Sequence, residues 1–245
     1  MSRFFVNPGD VWENGIHIRS KEDIHHISKV LRLKPGDEID ISDSECWEYR
    51  VEIQLMEQDV IETRIIDKQK FAREPKLKIT LFQGLPKQGK MELIIQKAVE
   101  LGVFSIVPVF TDRSIVTDNG KMGKKIERWQ KIADEAVKQC KRGIIPRITT
   151  EMNFKEMGQA LGEYDLVLFP YENEEDKSIK GALQNLREKP GTVAIIIGPE
   201  GGFSEKEAAF MKGSGAEIVS LGKTILRTET AGIAAIAMTM YELEL

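Results

Sequence analysis

The sequence predicts an α/β domain with a mainly parallel sheet covered on both faces, preceded by a smaller β-rich domain. Three observations carry this expectation. Short, nearly continuous apolar runs recur at "KITLFQ" (78–83), "SIVPVF" (105–110), "DLVLF" (165–169), "VAIIIG" (193–198) and "EIVSL" (217–221), as expected of strands buried on both faces. Helix-period segments separate them over 90–101, 122–142, 178–188 and 205–212, the alternation that builds a parallel sheet. Before residue 72 the period is two instead. There "PGDEIDIS" (35–42) reads as a turn followed by a strand, and "YRVEIQLM" and "VIETRII" alternate again. The stretch "FAREPK" (71–76) reads as a linker, dividing the chain into domains 1–72 and 73–245.

The bulk properties agree. A chain of 245 residues, 41% hydrophobic and 30% charged, suits two soluble domains. The start "MSRFFVNPGD" lacks the apolar core of an export signal. The longest near-continuous apolar run, 231–241, is interrupted by Thr239 and is shorter than the roughly 18 residues of a membrane span. It suits a buried helix. Cys46 and Cys140 form neither a disulfide framework nor a zinc site, so a metal-free cytoplasmic protein is expected. The net charge of −4 is unevenly spread. Residues 1–73 carry 11 basic and 15 acidic side chains, 74–150 carry 15 and 8, and 151–245 carry 9 and 16. A basic middle between acidic flanks is a candidate polyanion surface, or else a solvated lysine-rich face.

In parallel sheets ligands sit beyond the carboxyl ends of the strands. Three such ends hold the unusual residues: "FPYE" after 165–169, "GPEGGFS" after 193–198, and "LGKTILRTETAG" after 217–221. In the second, Gly198, Gly201 and Gly202 permit close backbone approach, and Ser204 with Glu207 forms a capping box. An ordinary glycine turn is the alternative, and the dinucleotide spacing of glycines is absent. In the third, Arg227 and Glu229, interleaved with Thr224, Thr228 and Thr230, open an apolar helix. One threonine is expected as a cap. The remainder reads as a binding site or as a structural Arg227–Glu229 ion pair.

Other motifs are weaker. "GLPKQGKM" (84–91) resembles a phosphate-binding P-loop through Lys90, but Met91 stands where a magnesium-ligating Ser or Thr belongs. Its lysines read as facing solvent or RNA. In "GKMGKKIERWQKIADEAVKQCKRG" the apolar positions Ile126, Trp129, Ile132, Ala133, Ala136, Val137 and Cys140 share one helical face. Lys124, Arg128, Lys131, Lys138 and Arg142 line the other, which suits a phosphate backbone or water. Arg113 and Ser114 end the strand 105–110. His25 and His26 lack a ligand cluster, and His26 with Lys29 and Arg32 suits surface or RNA contact better than metal. Arg3 and Gln139 complete the candidate RNA contacts.

Together "HISKVLRLKPGDEI", "GLPKQGKMELIIQKAVELGV", "DRSIV", "RWQKIADEAVKQCKR", "IIIGPEGGFSEKE" and "LGKTILRTETAGIAA" resemble the 16S ribosomal RNA (uracil-N3)-methyltransferases of the SPOUT superfamily, over nearly the whole chain. The resemblance implies a PUA-like β-barrel that helps hold RNA, then an α/β domain with a deep trefoil knot. It implies S-adenosylmethionine held in that knot, a homodimer, and a uridine of small-subunit rRNA as target, within the assembled subunit. The cofactor contacts it implies are Leu168, Phe169 and Pro170, then Ile197, Gly198, Pro199, Gly201 and Gly202, then Leu221, Gly222, Ile225, Leu226, Arg227, Thr230 and Ala231. Arg227 is the expected stabiliser of the uracil anion or an anchor for the nearby phosphate, and Glu229 its orienter or a proton acceptor. Two other classes remain open at this point: a P-loop nucleotide-binding protein, and an RNA-binding assembly factor without catalysis.

Overall fold

The computed structural model describes residues 3–71, 74–87, 89–115 and 120–245. The expected domain boundary, Gln88 of the P-loop-like stretch and Val116 of "DRSIV" lie outside the described residues. The chain forms two compact units. The first takes in residues up to Glu74 and, unexpectedly, 137–145; the second takes the remainder.

The first unit contains strands β1 (Arg3–Phe5), β2 (Val11–Trp12) and β3 (Gly15–Ile18), then helix α1 (Lys21–His25), which runs on through a π-helical turn over His26–Val30. Strands β4 (Glu38–Ser42), β5 (Trp47–Met56) and β6 (Ile61–Lys70) follow. They form a six-stranded sheet in the order β1-β4-β5-β6-β3-β2, antiparallel except for β1 on β4. Phe4 of β1 shares a core with Ile16 and Ile18 of β3, four places away in the sheet, so the sheet curls on itself. Register shifts between Arg50 and Val51 and between Ile53 and Leu55 supply irregularities of the kind that bend a strand. Ile24 and Ile27 close the core from α1 and the turn after it.

The second unit alternates strands and helices as expected. Its elements are β7 (Lys78–Gly84), α2 (Lys90–Glu100), β8 (Ser105–Phe110), α3 (Met122–Cys140), β9 (Arg147–Ile148), β10 (Met152–Asn153), α4 (Phe154–Ala160), β11 (Leu166–Pro170), α5 (Ile179–Gln184), β12 (Thr192–Ile197), α6 (Glu205–Gly213), β13 (Glu217–Val219) and α7 (Thr228–Leu243). The sheet order is β10-β8-β7-β12-β11-β13, with β9 also on β8, and every pairing is parallel. The two central strands, β7 and β12, are the most buried, and Ile79, Leu81, Val193, Ala194 and Ile195 are fully buried. Among the described residues no helix is long and apolar enough to cross a membrane.

Two local expectations are overturned, and one region holds elements that were not expected. The region 147–160 carried no expectation, yet it holds two short strands and α4. Its signal was legible as Asn153 with Glu156, a capping box. Helix α3 ends at Cys140, so Arg142 is not on its basic face. Arg142 is buried and pairs with the equally buried Glu74 at 3.0 Å, while Glu74 also accepts the backbone N–H groups of Gly143 and Ile144. Finally, α7 is not enclosed on all sides: Ala235, Ile236, Thr239 and Met240 are buried, but Met238 and Tyr241 are exposed.

The Glu74 site yields the first prediction. Arg142→Met would leave a carboxylate buried without its cation, a class of change that costs about 3–5 kcal/mol. Urea unfolding should show a loss of that order.

Candidate functional site: a cavity beyond the strand ends

The loops after β11, β12 and β13 converge, with the start of α7, on one cavity of about 480 Å³. That lies within the roughly 300–1,000 Å³ of small-molecule sites. The geometry requires small residues. Gly202 has φ +66°, in the left-handed region, and a β-carbon there would strike the Glu172 carboxylate. Gly84, at the end of β7, lets the neighbouring loop pass: a β-carbon there would sit 2.7 Å from Pro199 Cδ and 2.8 Å from its nitrogen. This close approach, rather than a phosphate cradle, accounts for the glycine that opens the P-loop-like stretch.

Helix α7 is joined to the same loop by a hidden relay. Thr228 Oγ1 donates to the Gly198 carbonyl at 2.6 Å and accepts from Gln83 Nε2 at 2.9 Å. The expected threonine cap is therefore absent. Arg227 occupies the cap position without a side-chain cap bond, and the first hydroxyl of the helix ties it to the glycine loop instead.

Most of the expected cofactor residues meet here. Pro170 lines the cavity from β11, and Ile197, Gly198, Pro199, Gly201 and Gly202 line it from the glycine loop. Leu221, Gly222, Ile225, Leu226, Arg227 and Ala231 complete it from the last loop and α7. Leu168 and Phe169 do not; both are fully buried, because they belong to the body of β11. Thr230 is exposed and outside the lining, having turned away with the helix. A β-carbon on Gly201 would face Arg113 at 3.1 Å. The Arg113 guanidinium donates to the Gly201 carbonyl at 2.9 Å, so this residue braces the loop. Ser114 closes its own turn with Thr111.

The electrostatics differ from the expectation in one respect. Arg227 and Glu229 do not pair. Arg227 is exposed in the cavity wall, with no ion pair among the described residues. Glu229 lies behind the wall, and its Oε2 is 3.2 Å from Lys90 Nζ. That contact lacks hydrogen-bond geometry, so the buried Oε2 has an ionic partner but no hydrogen bond among the described residues. Lys90 faces the cavity and also lies 3.1 Å from Glu200. The Glu200 carboxylate holds the Lys90 ammonium above the ordinary lysine range, against desolvation and with help from Glu229. Burial pushes Glu200 upward, but its own backbone N–H, Lys90 and the Lys87 N–H together hold it below the usual carboxylate range. Lys90 lies beyond none of the three strand ends that hold the unusual residues, the end of β7 being a fourth, whereas Glu200 sits within the glycine loop, where the glycines carried the signal.

The remaining candidates scatter. Lys124, Arg128, Lys131 and Gln139 lie exposed along α3, with Arg128 paired to Glu92 of α2. Lys138 is half-buried and 3.4 Å from Asp23. Lys29 and Arg32 are exposed, Arg32 at φ +55°. His26 packs edge-on to Phe4, and Arg3 is tied to Glu48 and the Lys141 carbonyl.

A family model described as an RNA methyltransferase domain matches residues 73–240, and an RNA methyltransferase PUA domain matches 20–54. The ribosomal RNA small subunit methyltransferase E of Bacillus subtilis is 35% identical over 91% of this chain and 89% of its own. The chain belongs to the ribosomal RNA small subunit methyltransferase E family. A member from Mesomycoplasma hyopneumoniae is 32% identical over 95% of this chain and 96% of its own. The crystal structure of the Neisseria gonorrhoeae enzyme of this family bound to S-adenosyl methionine superposes with a TM-score of 0.85, at 30% identity over 98% of this chain and 97% of that one. A methyltransferase from Legionella pneumophila, solved with bound SAM, gives 0.84 at 32% identity over 98% and 96%. Methyltransferase E membership removes the P-loop reading and places an enzyme where a non-catalytic assembly factor was the alternative.

Proposed function

We propose that this chain transfers a methyl group from S-adenosylmethionine to N3 of a uridine in small-subunit ribosomal RNA. The observation that carries the reading is the convergence of the loops after β11, β12 and β13 on one cavity, with Arg227 in its wall and in no ion pair among the described residues. Two relatives of like fold hold the same methyl donor. Backbone groups of the glycine loop and of 221–226 suit adenine and ribose, since Gly84, Gly201 and Gly202 keep those paths clear of side chains. The resemblance of the motifs extends the reading to a trefoil knot in these loops, a PUA-like barrel in the first unit, and a cytoplasmic site of action.

The methyl donor supplies an electrophilic carbon on a sulfonium. The protein must align N3 with it, and alignment alone is worth about 7–11 kcal/mol. Uracil N3 carries a proton, and its loss spreads negative charge over O2 and O4. Arg227, in no ion pair among the described residues, stabilises that charge. Glu229 acts at one remove, by holding Lys90. The target base must be unpaired and unstacked to enter. Incubation with unmodified small subunits and S-adenosylmethionine should yield 3-methyluridine by nucleoside mass spectrometry. No methylated nucleoside, or one methylated elsewhere, overturns the reading.

The exposed row on α3 supports RNA binding. Lys124→Glu with Lys131→Glu should weaken RNA affinity and reduce its salt slope by about two, one for each lost phosphate contact. S-adenosylmethionine affinity should stay unchanged in calorimetry. An unaltered salt slope would identify the row as solvated only.

The exposed side of α7, with Met238 and Tyr241, supports a homodimer, since an apolar helix face is costly to leave in water. Sedimentation at micromolar concentration should give about twice 27.7 kDa. A monomer that still methylates RNA would sink this part.

A further inference from the structure

The cavity wall holds one cation and one anion side by side. Lys90 Nζ and Glu200 Oε1 lie 3.1 Å apart, and both side chains line the cavity. Each is fixed from behind by a different part of the chain. Glu229, in the first turn of α7, holds Lys90 from outside the lining. The backbone N–H of Lys87 holds Glu200, at 3.1 and 3.2 Å from its two oxygens. This pair is a preset donor beside a preset acceptor.

Uracil presents the complementary pattern. Next to its N3–H donor is the O4 acceptor, and the two are adjacent on one edge. Cytosine presents the reverse: an N4 amino donor beside an N3 that carries only a lone pair. Flipped or single-stranded bases are read along this edge. An ammonium facing O4 and a carboxylate facing N3–H accept uracil. The same two groups meet cytosine with donor against donor and acceptor against lone pair.

We propose that Lys90 and Glu200 read the edge of the target base, with Lys90 bonded to O4 and Glu200 to N3–H. This rests on the N3-methylation reading above and deepens it. When the N3–H bond breaks, its proton passes to the Glu200 carboxylate and from there to water. The freed pair lies in the ring plane along the former N3–H bond, so the protonated carboxyl swings off that line before the methyl carbon approaches; the pair then forms the bond to the methyl carbon, and the carbon–sulfur pair returns to sulfur. Lys90 meanwhile neutralises the charge growing on O4, while Arg227 serves the other side of N3. Glu229 is a positioning residue in this scheme, because it acts through Lys90.

The test uses the full chain and small subunits reconstituted from unmodified transcript, made with uridine or with 5-fluorouridine, whose N3–H is more acidic. Lys90→Met and Glu200→Gln should each lower kcat on the uridine substrate by about tenfold or more, with S-adenosylmethionine affinity within twofold of the parent. On the 5-fluorouridine substrate the deficit should shrink, because a base that ionises readily needs less help. A merely structural pair would not respond to the acidity of the base. The proposal is overturned if either variant matches the parent on uridine, or if the deficit is the same on both substrates. It is also overturned if both variants lose S-adenosylmethionine binding or thermal stability in proportion to activity, which would make the pair a clamp on the loop. Absence of 3-methyluridine with the parent protein would count against the N3 reading itself, a separate result.

Discussion

Arg227→Ala should lower kcat by about 100- to 1,000-fold, the range seen when one group that stabilises developing anionic charge is removed. The reason is structural as well as chemical. Arg227 stands in the cavity wall, exposed and without an ion pair among the described residues, so its removal strands no buried partner. The melting temperature and S-adenosylmethionine affinity should therefore stay near the parent values. Single-turnover methyl transfer to small subunits, measured beside calorimetry and thermal melting, separates these effects. Loss of stability in step with activity would return Arg227 to a structural role. Lys in its place should recover only part of the rate, since a single ammonium lacks the planar fork of donors.

Gly84→Ala should act from outside the cavity. The added β-carbon would meet Pro199 backbone at 2.8 Å, closer than real contacts allow, and the glycine loop must give way. Overpacking of this kind costs about 1–3 kcal/mol. If that loop holds the methyl donor and bears this cost, S-adenosylmethionine affinity drops by about 5- to 150-fold. Titration calorimetry reads this directly. Unchanged affinity with unchanged stability would mean that the loop relaxes freely and that its path does not shape the site.

The difference between Gly84 and Arg142 shows where sequence reading ends. Both sit in stretches with a familiar look, one like a phosphate loop and one like a basic helix. The look depends on local spacing, and local spacing is set by residues a few positions apart. What decides each residue's role is a group far along the chain: Pro199 against Gly84, and Glu74 against Arg142. No periodicity carries such a distance.

The order and type of the main elements after residue 77 are legible in the chain. Continuous apolar runs, helix-period segments and the Ser204–Glu207 capping box are local signals, and β7, β8, β11, β12, α2 and α6 follow them. The same pattern pointed to the loops that line the cavity, because parallel strands leave their carboxyl ends on one side. The tertiary structure alone decided which side chains on those loops face the cavity. Strand register buried Leu168 and Phe169, and helix rotation carried Thr230 outward. Ion pairing was likewise decided in three dimensions. Glu229 chose Lys90 over Arg227 because β7 and α2 deliver Lys90 beside the first turn of α7, at 3.2 Å, although 139 positions separate the two residues in the chain. Coulomb attraction depends on that final distance and on burial, neither of which is written in the spacing of residues along a sequence.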